Sequence, residues 1–479
     1  MKPEKKIATH CLDECVFVIL GATGNLAKRK LIPALYNLAA SGSICRFALI
    51  GVSIDNTTMQ AILQEARSFI PTIDDAVWAQ FQECIYYHQM DFHDTNAYQV
   101  LKDLIDQACR THKLCGNKLF YLATMPHHFS VITHNLARYD IVEKHKAGKL
   151  TEKGTWSRVV YEKPFGSDLK SARELNRAIK KAFDEKQVFR IDHYLGKELV
   201  ANIALARFTN RVFEPLWNNK HIDSVQIVLS EASGIQERGA FYDSYGAFKD
   251  IVQNHLLQIL ALVAMEAPER LTEAEQLRDR KVRVLSKVKV TSVVRGQYEG
   301  YLQEKGVNPH SSTETFGALK AIINNRRWRG VPFYLKTGKH LHKNEASIHI
   351  KFKMVKCLLD FCPMDSNYLT IKIQPDEGFY LELNAKEPGV FNRVVPITMN
   401  FSHSTLWGPN TPEAYETLFL DVIRGDHFAF VRSDEIDYSW KIIRQVEKIK
   451  TPVYSYAPGS MGPQEVKLLD PKHKIRWRT

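Results

Sequence analysis

Five consecutive apolar residues, Val16-Phe17-Val18-Ile19-Leu20, run straight into Gly21-Ala22-Thr23-Gly24-Asn25-Leu26-Ala27. A helical pattern follows, with Leu31, Ala34, Leu35 and Leu38 at helical spacing. A continuous apolar run suits a parallel strand buried on both faces, because a half-exposed strand alternates. Gly21 permits a tight turn, Gly24 lets the backbone approach a pyrophosphate, and small Ala27 allows close helix–strand packing. The helix N-terminus adds free N–H groups and partial positive charge for the phosphates. The spacing is Gly-x-x-Gly-x-x-Ala rather than the fuller Gly-x-Gly-x-x-Gly, so the flanking strand and helix carry the reading. A plain strand–turn–helix is the alternative for the same residues. The dinucleotide reading assigns the turn Gly21, Ala22, Thr23, Gly24, Asn25 and Leu26 to a cofactor.

A second strand is expected at Phe47-Ala48-Leu49-Ile50-Gly51-Val52, followed by Ser53-Ile54-Asp55. The end of this strand chooses the cofactor. An acid there accepts from the ribose 2′-hydroxyl of NAD, whereas an arginine accommodates the 2′-phosphate of NADP. Helical patterns over 57–69, 95–110 and 168–183 alternate with strands at Lys118–Ala123 and Ser157–Tyr161. Alternation of this kind implies a parallel, doubly wound sheet. Lys163, in Glu162-Lys163-Pro164-Phe165-Gly166, then stands at a strand's carboxyl end, where a solvated charge and a ligand contact are both reasonable readings.

Another stretch concentrates chemistry: Arg190-Ile191-Asp192-His193-Tyr194-Leu195-Gly196-Lys197-Glu198, after the short apolar run Val188-Phe189. Beyond it the pattern changes. Val225–Leu229, Ser347–Phe352, Leu369–Ile373 and Tyr380–Leu383 alternate like antiparallel strands with one exposed face. The expected architecture is a Rossmann-type α/β coenzyme domain over 1–195. An α+β domain with a large, mainly antiparallel sheet follows over 196–479. A helix over 246–265 carries His255 on a face with Ile251, Val252 and Ile259, and Asp250 and Asn254 form an i,i+4 polar pair. Arg326, Arg327, Arg329, Lys336 and Lys339 crowd around Gly330-Val331-Pro332-Phe333, either as a solvated rim or as an anion site.

At 479 residues the chain exceeds the size of one core. Its 65 basic and 53 acidic residues leave a net charge of +12, which fits nucleic acid, an anionic membrane face or small anionic ligands. No block of five like charges occurs, and only Arg326-Arg327-Trp328-Arg329 and the tail 474–478 interleave bases with aromatics, so a small phosphorylated ligand is favoured over nucleic acid. No run reaches the roughly 18 apolar residues of a membrane span, and Val16–Leu20 is too short for a signal peptide. Cys11, Cys15, Cys45, Cys84, Cys109, Cys115, Cys357 and Cys362 form no Cys-x-x-Cys pair. Reduced thiols and a cytoplasmic setting are expected. Cys109-x-x-His112-x-x-Cys115 lacks a second ligand cluster, so no metal is expected.

The pieces together resemble the glucose-6-phosphate dehydrogenase family. The resemblance rests on the stretches 21–31, 162–166 and 190–198, on Gln253-Asn254-His255, on Gly330–Phe333 with Thr337-Gly338-Lys339, and on the span from Tyr415-Glu416 to Arg424-Gly425-Asp426. It implies oxidation of glucose 6-phosphate at C1 to 6-phospho-D-glucono-1,5-lactone in the oxidative pentose phosphate pathway, by a homodimer or homotetramer. His255 would be the general base, a role suited to an imidazole near neutrality. Asp192 would orient it as in a triad. His193, Tyr194 and Lys197 would hold the phosphate dianion, which needs several directed donors. Lys163 and Lys339 would contact the sugar and cofactor side, and Glu231, Asp250 and Gln374 fall where the family binds sugar hydroxyls. The family default is NADP, but the arginine usual after the second strand is replaced near its place by Ile54, and Asp55 follows. That departure makes NAD a competitor, unless Lys28, Lys30 or Arg46 supplies the missing charge. Another sugar dehydrogenase, or a non-catalytic sugar-phosphate binder, is the alternative.

Overall fold

The computed structural model describes residues 14–144, 154–355, 366–390, 393–402, 405, 414–471 and 475–478. Two compact units divide the chain, Met1–Gly196 with Pro412–Ser433, and Lys197–Thr411 with Asp434–Thr479.

The first unit is built on β1 (Cys15–Leu20), β2 (Phe47–Ser53), β3 (Ile85–Gln89), β4 (Lys118–Leu122), β5 (Ser157–Tyr161) and β6 (Val188–Arg190). They form one sheet in the order β3-β2-β1-β4-β5-β6, and every pairing is parallel. This is the order of the doubly wound dinucleotide-binding sheet, with its direction of growth reversing between β1 and β4. All six residues of β1 are buried, as a continuous apolar run requires. β3 is the edge strand, only half buried, and its Ile-Tyr-Tyr-His-Gln sequence carries neither an apolar run nor an alternation. Three of the unit's α-helices start on side-chain caps, Thr58 accepting from the Ala61 N–H in one of them. Asp74 accepts from the N–H groups of Ala76 and Val77, and Asp168 and Ser171 form a reciprocal capping box on Leu169–Ala182.

The helix Ala414–Arg424 also belongs to this unit, although the sequence pattern places it with the second half. Its Phe419 ring meets Phe17 and Tyr121 edge-on or tilted at 5.8 and 5.7 Å. Arg158, on β5, donates to the terminal carbonyls of Val422 and Ile423 at 2.5 Å each, satisfying acceptors that a helix end leaves open.

The second unit carries β7 (Ile222–Ser230), β8 (Val288–Tyr298), β9 (Phe316–Ile323), β10 (Pro332–Gly338), β11 (Glu345–Phe352), β12 (Tyr368–Gln374), β13 (Gly378–Lys386), β14 (Val394–Ser402) and β15 (Val453–Tyr456). The order is β14-β13-β12-β11-β7-β10-β9-β8-β15, antiparallel except for β7–β10 and β8–β15. The helix Leu257–Ala264 is buried at every position. Between helices Ala274–Leu285 and Ser433–Lys448 a wholly buried Lys281–Glu435 ion pair closes at 2.7 Å. An α/β unit and a mainly antiparallel α+β unit are thus both present.

The thiols differ from expectation at one position. Cys15, Cys84, Cys109 and Cys115 are free, but Cys45 is disulfide-bonded. Spacing along a chain does not reveal which Cα atoms approach to bridging distance. Cys11, Cys357 and Cys362 lie outside the described residues. His112 is engaged by the Tyr86 hydroxyl at 2.8 Å, and Cys115 by the Glu14 carbonyl at 3.3 Å.

Candidate active site

In the first unit the glycine turn sits at the carboxyl end of β1. Gly21 takes φ +97°, and its N–H and that of Ala22 donate to Val52 O at 2.7 and 3.1 Å, tying the turn to the end of β2. A Cβ on Gly21 would stand 2.6 Å from Ala123 O, and one on Gly24 would stand 3.2 Å from Gly21 O. The turn is therefore packed so closely on its own backbone and on Ala123 that a side chain is excluded at Gly21, and the bare backbone it leaves fits a pyrophosphate. Asn25 is exposed and Leu26 half-buried at its rim. One π-helical turn, Ala27–Leu31, follows before the α-helix Ile32–Ala40, and Ala27 is fully buried, as close packing demands. Asp55 lies just beyond β2. Its carboxylate accepts from the Thr23 hydroxyl at 2.5 Å and from Ser53 at 3.0 Å, and these two bonds, Thr23 first, hold it below the usual carboxylate range.

At the ends of β5 and β6 the same unit presents the rest of its expected residues. Glu162 is pushed up by burial and accepts from the hydroxyls of Tyr121 at 2.5 Å and Tyr415 at 3.4 Å. Those bonds fix the turn from which half-buried Lys163 projects. Asp192 is 2% exposed and accepts the Tyr194 N–H at 3.1 Å, so the chain turns tightly there. The rings of half-buried His193 and Tyr194 lie 5.0 Å apart. Arg190 has no part in such chemistry, because it is fully buried in a bidentate pair with Glu185 at 2.6 and 3.2 Å.

In the second unit, β7 ends at Ser230 and β10 at Gly338, side by side and parallel. Glu231 and Lys339 follow directly and form an ion pair. Lys339 also stands 5.8 Å from the ring of Tyr242, whose hydroxyl is raised by burial and by the charges of Asp250, Glu314 and Glu231. The row Gln374–Ala346–Leu229–Thr337 crosses four strands, so exposed Gln374 lies at the same end of the sheet. Tyr242 is not singled out by the sequence, since a tyrosine within Gly239–Ala247 has no distinguishing neighbours there. Half-buried Lys197 precedes the helix Glu198–Thr209, and burial lowers its ammonium to about 8 against the opposing charge of Glu377.

His255 is 1% exposed, on a π-helix that runs from Phe248 to Leu256. The i→i+5 pattern of a π-helix widens each turn and is frequent at functional sites. Here Gly246, at φ +69°, precedes it, and Glu314 accepts the Phe248 N–H at 3.2 Å. Asn254 donates to Asp250 O at 2.9 Å and accepts from the His255 N–H at 2.7 Å. The pair read from the sequence is therefore a backbone brace rather than a contact with the Asp250 carboxylate. That carboxylate, 5% exposed, faces Arg238 at 3.9 Å.

The basic crowd around Gly330–Phe333 does not converge. Arg327 is bound to Glu266 and Glu214, Trp328 is fully buried with its indole donating to Ala264 O, and Lys336 is buried on β10 beneath the Trp477 ring at 4.8 Å. Arg478 pairs with Glu382 at 2.5 Å. The two interleaved segments thus spend their aromatics and several of their bases on the fold.

Two family models match in sequence, "Glucose-6-phosphate dehydrogenase, NAD binding domain" over residues 18–202 and "Glucose-6-phosphate dehydrogenase, C-terminal domain" over residues 204–478. Glucose-6-phosphate 1-dehydrogenases of Chlamydia pneumoniae and Bacillus subtilis are each 40% identical to the chain. The alignments cover 97% and 98% of this chain and 96% and 99% of those proteins. A solved glucose-6-phosphate dehydrogenase in complex with its substrate superposes with a TM-score of 0.89 at 34% identity, covering 98% of this chain and all of that one. The Mycobacterium avium enzyme gives 0.84 at 34% identity, covering 98% of this chain and 99% of that one. With its sheet order, its glycine cradle and both halves matched, the chain belongs to the glucose-6-phosphate dehydrogenase family.

Proposed function

We propose that the chain oxidises glucose 6-phosphate at C1, with His255 as the general base that takes the proton of the C1 hydroxyl. The observation that carries the assignment is the buried imidazole of His255 on a braced π-helix, in the unit that also gathers Glu231, Lys339, Tyr242 and Asp250 at one sheet end. A bound nicotinamide dinucleotide, NADP+ or NAD+, supplies the acceptor for the C1 hydride. Loss of hydride and proton gives 6-phospho-D-glucono-1,5-lactone.

The chain's own groups divide the remaining work. Asp192 orients His255 and stabilises the imidazolium, a role supported by its depth of burial and its fixed turn. His193, Tyr194 and Lys197 hold the phosphate, for which a helix N-terminus following Lys197 is a further attraction. Lys163 serves substrate and cofactor, and Lys339, Glu231, Asp250 and Gln374 bind the sugar hydroxyls. Residues 1–195 bind the cofactor and lend Lys163, His193 and Tyr194 to the substrate, and 196–479 carry the other substrate-binding groups and the subunit contacts. The assembly is a homodimer or homotetramer. In support, β14 ends the nine-stranded sheet with Ile397 44% and Met399 59% exposed. No described helix is long and apolar enough to cross a membrane. A cytoplasmic setting is supported by four free thiols among the described residues, and the bonded Cys45 stands against it.

The test is turnover followed by reduced-nicotinamide absorbance. His255→Asn lowers kcat by about 10²- to 10⁴-fold, the range of a lost general base, with KM nearly unchanged. Turnover within a few-fold of the unaltered protein refutes the base. Glucose reacting as well as glucose 6-phosphate would instead favour another sugar dehydrogenase, and binding without turnover a sugar-phosphate binder.

A further inference from the structure

The two dinucleotides that the cradle could hold differ only in a phosphate on the adenosine ribose, and the residues at the end of β2 distinguish them. We infer that this chain binds NAD+ in preference to NADP+, with Asp55 accepting the ribose 2′-hydroxyl and repelling a 2′-phosphate. The inference rests on the dinucleotide reading of the Gly21–Leu26 turn.

Asp55 is built into that turn. The Thr23 hydroxyl, from the cradle itself, and the Ser53 hydroxyl, from the last residue of β2, both donate to Asp55 Oδ2, and the two hydroxyls are 2.8 Å apart. Oδ1 receives neither bond, and the residue is exposed, so one carboxylate oxygen is presented outward beside the cradle. The backbone is pinned as well. Tyr87 OH donates to Asp55 O at 2.5 Å and Gln89 to Ile54 O at 3.1 Å, both from the neighbouring strand β3. The same bonds hold Ile54 in place, 60% exposed, so an apolar side chain stands where a cation would be needed to meet a phosphate.

The cations nearest in sequence are drawn to other partners, although the charge of Lys28 still reaches Asp55 as the last of the influences that set its carboxyl. Lys28 pairs with Glu65 at 2.6 Å. Arg29 lies over the Phe69 ring at 5.0 Å. Arg46 precedes Phe47, at the amino end of β2, and pairs with Glu14. Since β2 and β1 are parallel and the cradle is at their carboxyl ends, Arg46 is a whole strand length from the ribose. The sequence alone leaves Lys28, Lys30 and Arg46 as sources of the missing charge; strand direction removes Arg46, and Lys28, tied to Glu65, is the smallest of the influences on the Asp55 carboxyl. A carboxylate and a phosphate brought to contact distance repel, and the repulsion is screened by salt.

The experiment is calorimetric titration of the full-length protein with NAD+ and with NADP+ separately, without sugar phosphate. NAD+ should bind about 10-fold or more tightly, a gap that narrows as ionic strength rises. Asp55→Asn keeps an acceptor for Thr23 and Ser53 but removes the charge, and should close most of the gap by strengthening NADP+. Ile54→Arg combined with Asp55→Asn should reverse the preference. Equal or tighter binding of NADP+ by the unaltered protein overturns the inference while leaving the dehydrogenase reading intact. Binding of neither overturns the dinucleotide cradle and the inference with it. A melting temperature unchanged in the variants confines their effects to the site.

Discussion

Two π-helices stand among the described residues, and they are made in different ways. Ala27–Leu31 and Phe248–Leu256 are both π-helical, and a glycine with positive φ stands before each, Gly21 and Gly246. The first is short and local. Its glycine and the Val52 carbonyl shape the turn, and an α-helix resumes within five residues. The second runs for nine residues and depends on one partner far along the chain, Glu314 on the Phe248 N–H, besides the Asn254 brace within its own turns. A ligand cradle of backbone can be written into a few consecutive residues. A buried base needs neighbours recruited from the rest of the fold.

The sharpest way to break this contrast is at Gly21. Gly21→Val puts a branched side chain at φ +97° and against Ala123 O, and should weaken dinucleotide binding by about 100-fold with a loss of about 2–3 kcal/mol in urea unfolding. Binding retained within a few-fold would mean that the turn is not a cradle. Next comes the brace. Asn254→Ala leaves the His255 N–H and Asp250 O without their partner, a cost of about 1–2 kcal/mol. It should lower kcat several-fold and hasten amide exchange at His255 while dinucleotide affinity stays fixed. A change in affinity with kcat preserved would reverse the division between the two helices. Smaller still is a pH effect at Lys197. Its ammonium, lowered to about 8 by burial, is charged below that pH and neutral above it. KM for glucose 6-phosphate should therefore rise several-fold as pH passes about 8, and Lys197→Arg should abolish that rise. The least effect is expected at the half-exposed Lys28–Glu65 pair, where Lys28→Ala should cost under about 1 kcal/mol of stability.

How much of this could be read from the sequence follows the same contrast. β1 and β2 announce themselves because strands buried on both faces are apolar nearly throughout. Gly21, Gly24 and Asp55 are legible because the cradle and the residue that reads the ribose lie a fixed distance along one βαβ unit. β10 is not legible. Lys336 and the Gly-Val-Pro start make it read as a basic loop, and only the fold shows Lys336 sheltered beneath Trp477, with burial drawing its ammonium down to about 8. Tyr242 and Glu314 are hidden for the reason that the second helix is, since their meaning comes from residues on distant segments. Arg46 shows the converse error. Close in sequence to the end of the glycine helix, it sits at the wrong end of a strand, because direction matters more than proximity along the chain.

The helix Ala414–Arg424 bears on how the protein is made. Phe17 and Tyr121, translated early, find Phe419 only after the span 197–411 has left the ribosome. At roughly 5–20 residues per second, the nascent first unit waits on the order of 10 to 40 s with that apolar surface uncovered. A message truncated near codon 400 therefore yields a first unit that is chaperone-dependent, and a separate peptide spanning 412–433 should restore its solubility.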